Sequence, residues 1–440
     1  MYRNSPISTD RLPPGISFII GNEAAERFSF YGMKTILAVF MTKYLADSAG
    51  SPELMGEGEA TIWIHTFNTA VYFTPLLGSF LADAFLGKYR TILSLSVLYC
   101  FGHLALALDE TRTGLTIGLT LIAMGAGGIK GCVSAHVGDQ FGKANAGMLE
   151  KVYGWFYLSI NLGAFASTLL TPFLLVRYGP SLAFGIPGLL MLIATLTFWA
   201  GRKEFAHLPP KGKAFIKETF SAEGLKAISS LVVIYSMVAM FWALFDQTAS
   251  TWVFQAERMD REFLGVTWES AQIQAVNPAL ILILIPLFNW VVYPAIGKVF
   301  PLSPLRKIGI GFFLVVPSFL IPAWIEYQLD LGETLGIELQ LISYLLLTSA
   351  EVMISVTCLE FSYTQAPKTM KSLIFGLFMA SVALGNLFTG IVNVLILNED
   401  GTSKLEGSSY YLFFAGLMMA TALVFIPVAI AYKEKIYLQD

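Results

Sequence analysis

Residues 23–32 of this chain read Glu-Ala-Ala-Glu-Arg-Phe-Ser-Phe-Tyr-Gly, and this stretch decides how the rest of the sequence is interpreted. It lies inside an otherwise apolar segment, residues 15–45, which is long enough to cross a bilayer as a helix. Glu23, Glu26 and Arg27 would therefore lie at membrane depth, where an unpaired charge is costly. Charges at that depth are typical of a path for a solute or a proton, or of ion pairs that only hold helices together.

The spacing of the polar residues places them on one side of that helix. Glu23, Arg27, Tyr31 and Lys34 follow one another at helical intervals, and Glu26 lies close to the same face. The spacing predicts an ion pair between Glu23 and Arg27, whereas Glu26 and Arg27, as sequence neighbours, are predicted to point apart. A functional path and a purely structural ion-pair network both remain open at this point.

The composition is that of a polytopic membrane protein. Only 13% of the 440 residues are charged and 55% are hydrophobic, whereas a soluble domain has roughly 25% charged residues. The three cysteines fall in apolar segments and predict no disulfide framework. The sequence has no Cys/His metal-ligand spacing, nucleotide loop or nucleophile–base set. We therefore expect no enzyme, no metal, no cofactor and no nucleic-acid partner.

Twelve apolar segments are long enough to cross a bilayer. They cover, roughly, residues 15–46, 59–84, 89–109, 113–137, 150–177, 180–201, 225–256, 270–297, 306–326, 338–364, 371–397 and 408–432. The sequence therefore predicts an all-α integral membrane protein. A six-helix bundle would take residues 1–202, a hydrophilic cytoplasmic linker 203–224, and a second six-helix bundle 225–440.

The positions of lysine and arginine predict the orientation of the chain. With both termini in the cytoplasm, most basic residues fall on the cytoplasmic side, as the positive-inside rule requires. The linker contributes Lys203, Lys211, Lys213 and Lys217 to that side, directly after Arg202. The chain has no Asn-x-Ser/Thr glycosylation acceptor with an allowed middle residue, which favours a bacterial inner membrane.

Lys130 lies in the glycine-rich stretch 125–131, Gly-Ala-Gly-Gly-Ile-Lys-Gly, of the fourth segment. Glycines at such positions let helices approach closely or distort the backbone near a substrate. A lysine there is costly unless it meets an anion. It could therefore bind substrate, or form a structural salt bridge within a glycine-packed interface.

The second half of the sequence offers acids, amides and an aromatic residue as candidates. Glu351 is the deeper of two acids in the tenth segment. Asp246 follows Trp242 by four residues, so the two could form one wall of a pocket, although Trp242 could equally be packed core. Asn277 precedes Pro278, and such a pair inside a membrane helix frees a backbone carbonyl and suits a lined site.

Two candidates in the second segment, His65 and Tyr72, lie seven residues apart on one helical face. A buried histidine can carry a proton because imidazole titrates near neutral pH. A lone histidine is nevertheless more often a hydrogen-bonded structural group. Asn161 adds an amide in the fifth segment.

Five stretches, in chain order, carry a resemblance to a known family. They are residues 23–32 (EAAERFSFYG), 78–90 (GSFLADAFLGKYR), 127–130 (GGIK), 156–163 (FYLSINLG) and 359–367 (LEFSYTQAP). The first resembles the signature ExxERFxYYG of proton-coupled oligopeptide transporters, with Phe30 in place of a tyrosine. That family belongs to the major facilitator superfamily. The resemblance implies the major facilitator fold, with twelve transmembrane helices in two six-helix bundles.

The resemblance also implies roles for particular residues. Arg27 and Lys130 would attract the carboxylate of a peptide, and Glu351 would bind its amino terminus. The other peptide-binding residues would be Tyr31, Tyr72, Asn161, Trp242 and Asn277. The proton-coupling or gating residues would be Glu23, Glu26, His65 and Asp246. Two pairs between the bundles are implied, Asp246 with His65 or Arg27 near the outer gate, and Lys130 with Glu351 deeper in the membrane.

The resulting prediction is a symporter that imports di- and tripeptides with protons by alternating access, with peptide-like drugs as a further class of substrate. The proton would be the coupling ion, and the chain a multi-pass monomer in the lipid bilayer of the plasma membrane. One alternative is a transporter of the same fold for nitrate or another small solute. An alternative of another class is a peptide sensor or a membrane enzyme.

Overall fold

The computed structural model describes residues 2–142, 144–145, 148–210, 212, 217, 220–359, 361, 371–399 and 402–432. Within these residues, twelve helical segments follow one another with short connections. They are α1 (Ile16–Lys43), α2 (Glu57–Leu81), α3 (Lys88–Leu108), α4 (Arg112–Gly138), α5 (Leu149–Tyr178), α6 (Pro180–Ala200), α7 (Ala222–Phe245, continued by Thr251–Glu257), α8 (Val276–Leu287, continued by Tyr293–Gly297), α9 (Pro304–Asp330), α10 (Glu338–Glu351), α11 (Lys371–Ile396) and α12 (Ser408–Ala431).

These helices confirm the prediction of a multi-pass, all-α membrane protein. In the described part of the chain, 11 of them are long and apolar enough to cross a membrane. The remaining helix, α1, has 28 residues and is also long enough, but it carries several charged side chains. The end of the predicted tenth segment and most of the motif at 359–367 lie outside the described residues.

Short irregular elements continue or connect the long helices. The π-helical turns are Ala82–Leu86 after α2, Phe288–Val292 within α8 and Val352–Val356 after α10. The 3-10 turns are Gly201–Lys203 after α6, Asp246–Ala249 within α7 and Ser270–Ala275 before α8. Strands β1 (Glu262–Phe263) and β2 (Val266–Thr267) form a small antiparallel hairpin between α7 and α8.

The sequence predicts one continuous helix over residues 225–256, and the interruption of α7 at Asp246 falls in the mostly polar stretch 246–251 of that segment. Side chains that bond to the backbone explain it. Gln247 donates through Nε2 to the carbonyl of Ala243 at 2.9 Å, and Thr248 donates through Oγ1 to the carbonyl of Phe245 at 2.8 Å. Such bonds offer the backbone an alternative to the regular helical ladder. The break places Asp246 at the end of a regular helix.

The apolar core falls into two large clusters. One is built almost wholly from residues of α1 to α6 and includes Phe30 and Phe184. The other is built from α7 to α12 and includes Trp252, Phe312 and Phe319. We call residues 16–203 the first half of the structure and residues 222–431 the second half.

Successive membrane helices run in opposite directions, so their loops alternate between two ends of the molecule. We call the end with the loop 44–56 the upper end and the other the lower end. Backbone bridges join neighbouring upper loops, Ala46 with Thr111 and Asp260 with Gly336. A further bridge joins Arg3 to Ala206 at the lower end.

Helices α2 and α4 approach closely through glycines. A Cβ atom placed on Gly78 of α2 would lie only 2.6 Å from the Cα atom of Gly128 of α4. Gly127 likewise faces Thr74 and the backbone of Val71, both on α2. The glycine-rich stretch of α4 is therefore a close helix–helix contact, which is one of the two roles considered for it.

We expect Gly78→Ala to lower the stability of the protein by about 1–3 kcal/mol, because the added methyl group overpacks a backbone contact. The measurement is the melting temperature of the purified protein in detergent. Gly154→Ala on α5 is the matched control, because a Cβ atom there meets nothing within 4 Å. Equal melting temperatures for the two variants would contradict the close packing of α2 on α4.

Candidate functional site

The charges of α1 compensate one another within the helix. Arg27 Nε lies 2.7 Å from Glu23 Oε1 and 2.9 Å from Glu26 Oε2, and both carboxylates are buried. The predicted pair of Glu23 with Arg27 is confirmed. The expectation that Glu26 and Arg27 point apart is wrong, because the long arginine side chain lets its guanidinium contact both acids. Burial favours that arrangement, since a lone carboxylate there is costly.

A second buried ion pair joins the two halves. Lys34 Nζ of α1 lies 2.9 Å from Asp246 Oδ1 of α7, and both side chains are more than nine-tenths buried. The other carboxylate oxygen, Oδ2, accepts a hydrogen bond of 2.7 Å from Asn386 Nδ2 of α11. His65 Nδ1 lies 2.8 Å from Asn386 Oδ1, so the histidine reaches Asp246 only through that amide.

These partners differ from the gate implied by the resemblance, which was Asp246 with His65 or Arg27. Lys34 follows Arg27 by seven residues, about two helical turns along α1. Arg27 is held by two glutamates at its own level, whereas Lys34 reaches the level of Asp246. Lys34 therefore takes the position across from Asp246.

Further contacts join the halves toward the upper end. Lys43 Nζ lies 2.8 Å from Glu257 Oε1, at the ends of α1 and α7. Gln274 Nε2 donates to the carbonyl of Thr35 at 3.2 Å, and Gln272 Nε2 donates to the carbonyl of Leu169 at 2.7 Å. The upper part of the interface between the halves is thus held by ion pairs and hydrogen bonds.

A cavity of about 230 Å³ lies between the halves, next to these contacts. Its wall includes Lys34 and Asp246 and extends along α10 to Leu359. Seven of the predicted site residues line it, namely Tyr31, Tyr72, Asn161, Trp242, Asp246, Asn277 and Glu351. The other five are absent from its described wall, and these are Glu23, Glu26, Arg27, His65 and Lys130.

On the second half, Glu351 is held in place by an amide. Asn277 Nδ2 of α8 donates to Glu351 Oε2 of α10 at 2.6 Å and lies 3.2 Å from Thr348 Oγ1. The π-helical turn Val352–Val356 begins directly after Glu351, and single π turns are frequent at functional sites. This turn changes the helical register of α10 at the level of the cavity.

On the first half, Lys130 lies behind the aromatic wall of the cavity. Its Nζ atom is 3.6 Å from the ring centre of Phe30 and 4.5 Å from that of Tyr72, both cation–π distances. Within the described residues no carboxylate lies within 4.0 Å of it, so the implied pair of Lys130 with Glu351 is not formed here. The carboxylate of Glu351 is bonded to Asn277 instead.

The charged side chains without an ionic partner are of opposite sign on the two sides of the cavity. Arg27 is balanced by its two glutamates and Lys34 by Asp246. Among the described residues around the cavity, Lys130 and Glu351 therefore lack an ionic partner, and they belong to opposite halves. A solute with an anionic and a cationic end would be matched by this arrangement. Aromatic and aliphatic side chains make up much of the remaining wall.

Several residues at or next to the cavity were not among the predicted site residues. Those with polar side chains include Lys34, Tyr157, Gln274 and Asn386. The sequence placed Lys34 on the charged face of α1 without assigning it a role. Asn386 carries the same signal as the other candidates, a polar side chain in an apolar segment. Its side-chain partners Asp246, Asn68 and His65 lie 140, 318 and 321 positions away, and no local pattern identifies them.

Comparison with known proteins gives consistent results. Residues 89–223 and 216–408 match the PTR2 model of the POT family. The chain is 36% identical over 365 residues to Peptide transporter family 1 of Drosophila melanogaster, with 72% of this chain and 48% of the relative covered. It is 36% identical over 375 residues to human Solute carrier family 15 member 2, with 74% and 50% covered. The chain spans about half the length of the curated relatives it matches.

Solved structures extend the likeness to the whole chain. The crystal structure of an auto-inhibited POT family peptide transporter has a TM-score of 0.87 and 35% identity, covering 97% of this chain and 99% of that one. The in meso crystal structure of the POT family transporter PepTSo has a TM-score of 0.86 and 36% identity, covering 96% and 99%. These likenesses confirm the predicted major facilitator fold with two six-helix bundles.

We expect Lys34→Met and Asp246→Asn each to destabilise the protein strongly, since breaking a buried ion pair from one side costs about 3–5 kcal/mol. The double variant should recover part of that loss, because it leaves no unpaired charge. Melting temperatures of the four proteins test this. Lys43→Met, at a pair in which the lysine is 49% exposed, is the control and should cost about 1 kcal/mol or less. If the double variant loses as much stability as the two single variants together, the energetic coupling between Lys34 and Asp246 is contradicted.

Proposed function

The chain belongs to the POT family, and on that premise we propose that it is a symporter that carries di- and tripeptides together with protons. The observation that carries the proposal is the cavity between the halves, with Glu351 on one wall and Lys130 behind the other. A short peptide is a zwitterion with its charges a few ångström apart. Transport, and not catalysis, is the activity that we assign.

Recognition would use the peptide backbone. We place the peptide carboxylate toward the first half, where Arg27 and Lys130 supply positive charge and Tyr31 and Tyr72 supply hydroxyl groups. The amino terminus would point to Glu351 on the second half, with Asn161 and Asn277 as amide partners. Trp242 would form part of the pocket for side chains. Because charge is matched at the two ends only, the apolar wall between them can accept varied side chains, including those of peptide-like drugs.

Proton coupling would use the buried acids of α1 and the polar cluster at Asp246. Glu23 and Glu26 share one guanidinium, so a substrate carboxylate that approaches Arg27 competes with both. An acid released from Arg27 in that interior would bind a proton, since an unpaired buried carboxylate is costly. The assignment of Glu23, Glu26, His65 and Asp246 to coupling or gating rests on this competition and on their burial. The proton is the only coupling ion that we invoke.

Alternating access would move one bundle against the other. We propose bundles at residues 1–202 and 225–440 with a cytoplasmic linker at 203–224, a division supported by the two separate core clusters. The pair of Lys34 with Asp246 would close the upper end and separate when that end opens. The contacts at the upper end and the extension of the cavity to Leu359 favour a conformation that is closed above.

We propose that the upper end faces outward and that both termini are cytoplasmic, since most lysines and arginines then lie inside. The cavity would accordingly open to the cytoplasm. We place the protein in the plasma membrane, as a monomer surrounded by lipid, and specifically in a bacterial inner membrane. Nitrate or another small solute, a peptide sensor and a membrane enzyme are the competing functions.

The decisive test is the uptake of labelled dialanine into proteoliposomes, with and without an inward proton gradient. We expect accumulation that the gradient stimulates and that other dipeptides compete for. Protein-free liposomes provide the background. Absence of accumulation by folded, inserted protein would overturn the peptide assignment, and the same vesicles would then be assayed with nitrate. Hydrolysis products of the dipeptide would point to the enzyme.

We expect Glu26→Gln to abolish gradient-driven uptake while leaving peptide exchange, because the variant keeps the shape of the side chain but cannot release a proton. The measurement compares the two modes in the same vesicles. Glu59→Gln is the matched control, since Glu59 pairs with Arg112 near the upper surface. Normal accumulation by Glu26→Gln would remove Glu26 from the proton path.

A further inference from the structure

Asn386 of α11 lies between His65 of the first half and Asp246 of the second half and forms a hydrogen bond to each. Its amide makes four buried hydrogen bonds. Nδ2 donates to Asp246 Oδ2 at 2.7 Å and to the carbonyl of Val382 at 3.0 Å. Oδ1 accepts from His65 Nδ1 at 2.8 Å and from Asn68 Nδ2 at 3.1 Å. We infer that Asn386 is a positioning residue with two effects. It determines which nitrogen of His65 exchanges a proton, and it couples the protonation state of His65 to the Lys34–Asp246 ion pair. The inference deepens the proposed function and rests on it.

The orientation of the Asn386 amide follows from its partners. The carbonyl of Val382 can only accept a hydrogen bond, so the atom that faces it must be the amide nitrogen. The carboxylate of Asp246, which is ion-paired to Lys34, also accepts. Oδ1 is consequently the atom that faces His65 and Asn68. Both hydrogens and both lone pairs of the amide are used, and a rotated amide would lose the bonds to Asp246 and Val382, because an oxygen would then face two acceptors.

This orientation fixes the tautomer of His65. Asn386 Oδ1 has no hydrogen to give, so His65 Nδ1 must carry one and donate it. The hydrogen on Nδ1 is present in both the neutral and the cationic imidazole. Nε2 is therefore the atom that gains and loses a proton. The same logic orients histidines through a hydrogen bond to the opposite ring nitrogen in many sites.

Ser250 supplies the group that adapts to the proton on Nε2. Its Oγ atom lies 3.3 Å from His65 Nε2 and 3.4 Å from the carbonyl of Gln247. With a bare Nε2, the hydroxyl donates to the imidazole. With a protonated Nε2, the hydroxyl donates to Gln247 and accepts from the imidazolium. A rotation of one hydroxyl hydrogen accommodates both states without movement of the backbone.

The amide also transmits the charge of His65. The charged groups that face this cluster are Lys34 on α1 and Asp246 on α7, while α2 and α11 contribute the imidazole and amides. A cationic His65 is a stronger donor to Asn386 Oδ1, because charge-assisted hydrogen bonds are stronger than neutral ones. A polarised amide in turn donates more strongly to Asp246. Protonation of His65 therefore tightens the contact between the halves at the upper end.

The first test reads the tautomer directly. Nitrogen NMR of the reconstituted protein labelled at histidine is recorded across a pH series, with the His65 signals identified by their loss in His65→Gln. We expect Nδ1 to keep its hydrogen throughout and Nε2 to titrate. Asn386→Leu should release this preference and populate the other tautomer, whereas Asn386→Asp, which keeps an acceptor facing His65, should preserve it. An Nδ1 without hydrogen in the unaltered protein, or an unchanged His65 spectrum in Asn386→Leu, would overturn the inference.

The second test reads the closure of the upper end. Spin labels on cysteines introduced at the exposed positions Ser48 and Glu399, one in each half, report the distance between the upper loops. We expect the closed population to rise as the pH falls in the unaltered protein. Asn386→Leu should lower the ratio of closed to open molecules about tenfold or more, because bonds to a charged group are lost, and should remove the pH dependence.

Asn393→Leu is the matched control for both tests. Asn393 lies on the same helix and is buried, but it bonds to Tyr410 and Thr389 within the second half. It should behave like the unaltered protein, and an equal loss of pH dependence in Asn393→Leu and Asn386→Leu would overturn the inference. Neither test requires transport. A failure of dialanine uptake with the expected NMR and distance results would therefore count against the proposed substrate and not against the role of Asn386.

Discussion

The cost of charge inside a membrane is the constraint on which the rest of this structure depends. Each ionised side chain at that depth needs a partner. Arg27 is ion-paired with Glu23 and Glu26 within α1, whereas Lys34 is ion-paired with Asp246, in the other half. The requirement for charge balance thus becomes a force that holds the two halves together. Within the described residues, this buried ion pair between the halves lies on the side of the cavity toward the upper end.

Local departures from regular helix place the side chains that meet this requirement. The 3-10 turn that begins at Asp246 ends the first part of α7, and another 3-10 turn precedes Asn277 on α8. On α10 a π-helical turn follows Glu351. Each irregularity lies beside a polar residue that lines the cavity. In the two 3-10 turns, Thr248 and Gln274 line the cavity and also donate through their side chains to the carbonyls of Phe245 and Ala271. Such bonds compete with the helical ladder.

The site therefore combines two kinds of polar group. One kind is matched and structural in this conformation, as in the networks around Arg27 and Asp246. The other has no ionic partner within the described residues, as with Lys130 behind Tyr72 and Glu351 beside Asn277. Under the proposed function, a zwitterionic peptide would complement the second kind. It would also compete for the first kind, and binding would in this way act on the contacts at the upper end.

The sequence by itself determined the class of the protein, the twelve membrane segments and seven of the residues that line the cavity. It could do so because long apolar runs, and polar residues within them, are local signals. Tertiary structure alone decided the partners: that Arg27 contacts both glutamates, that Lys34 and not His65 or Arg27 faces Asp246, and that Asn386 lies between Asp246 and His65. Such pairings depend on how helices distant in sequence are rotated about their axes and shifted along them relative to one another. Helical spacing specifies which face a residue occupies but not what it meets.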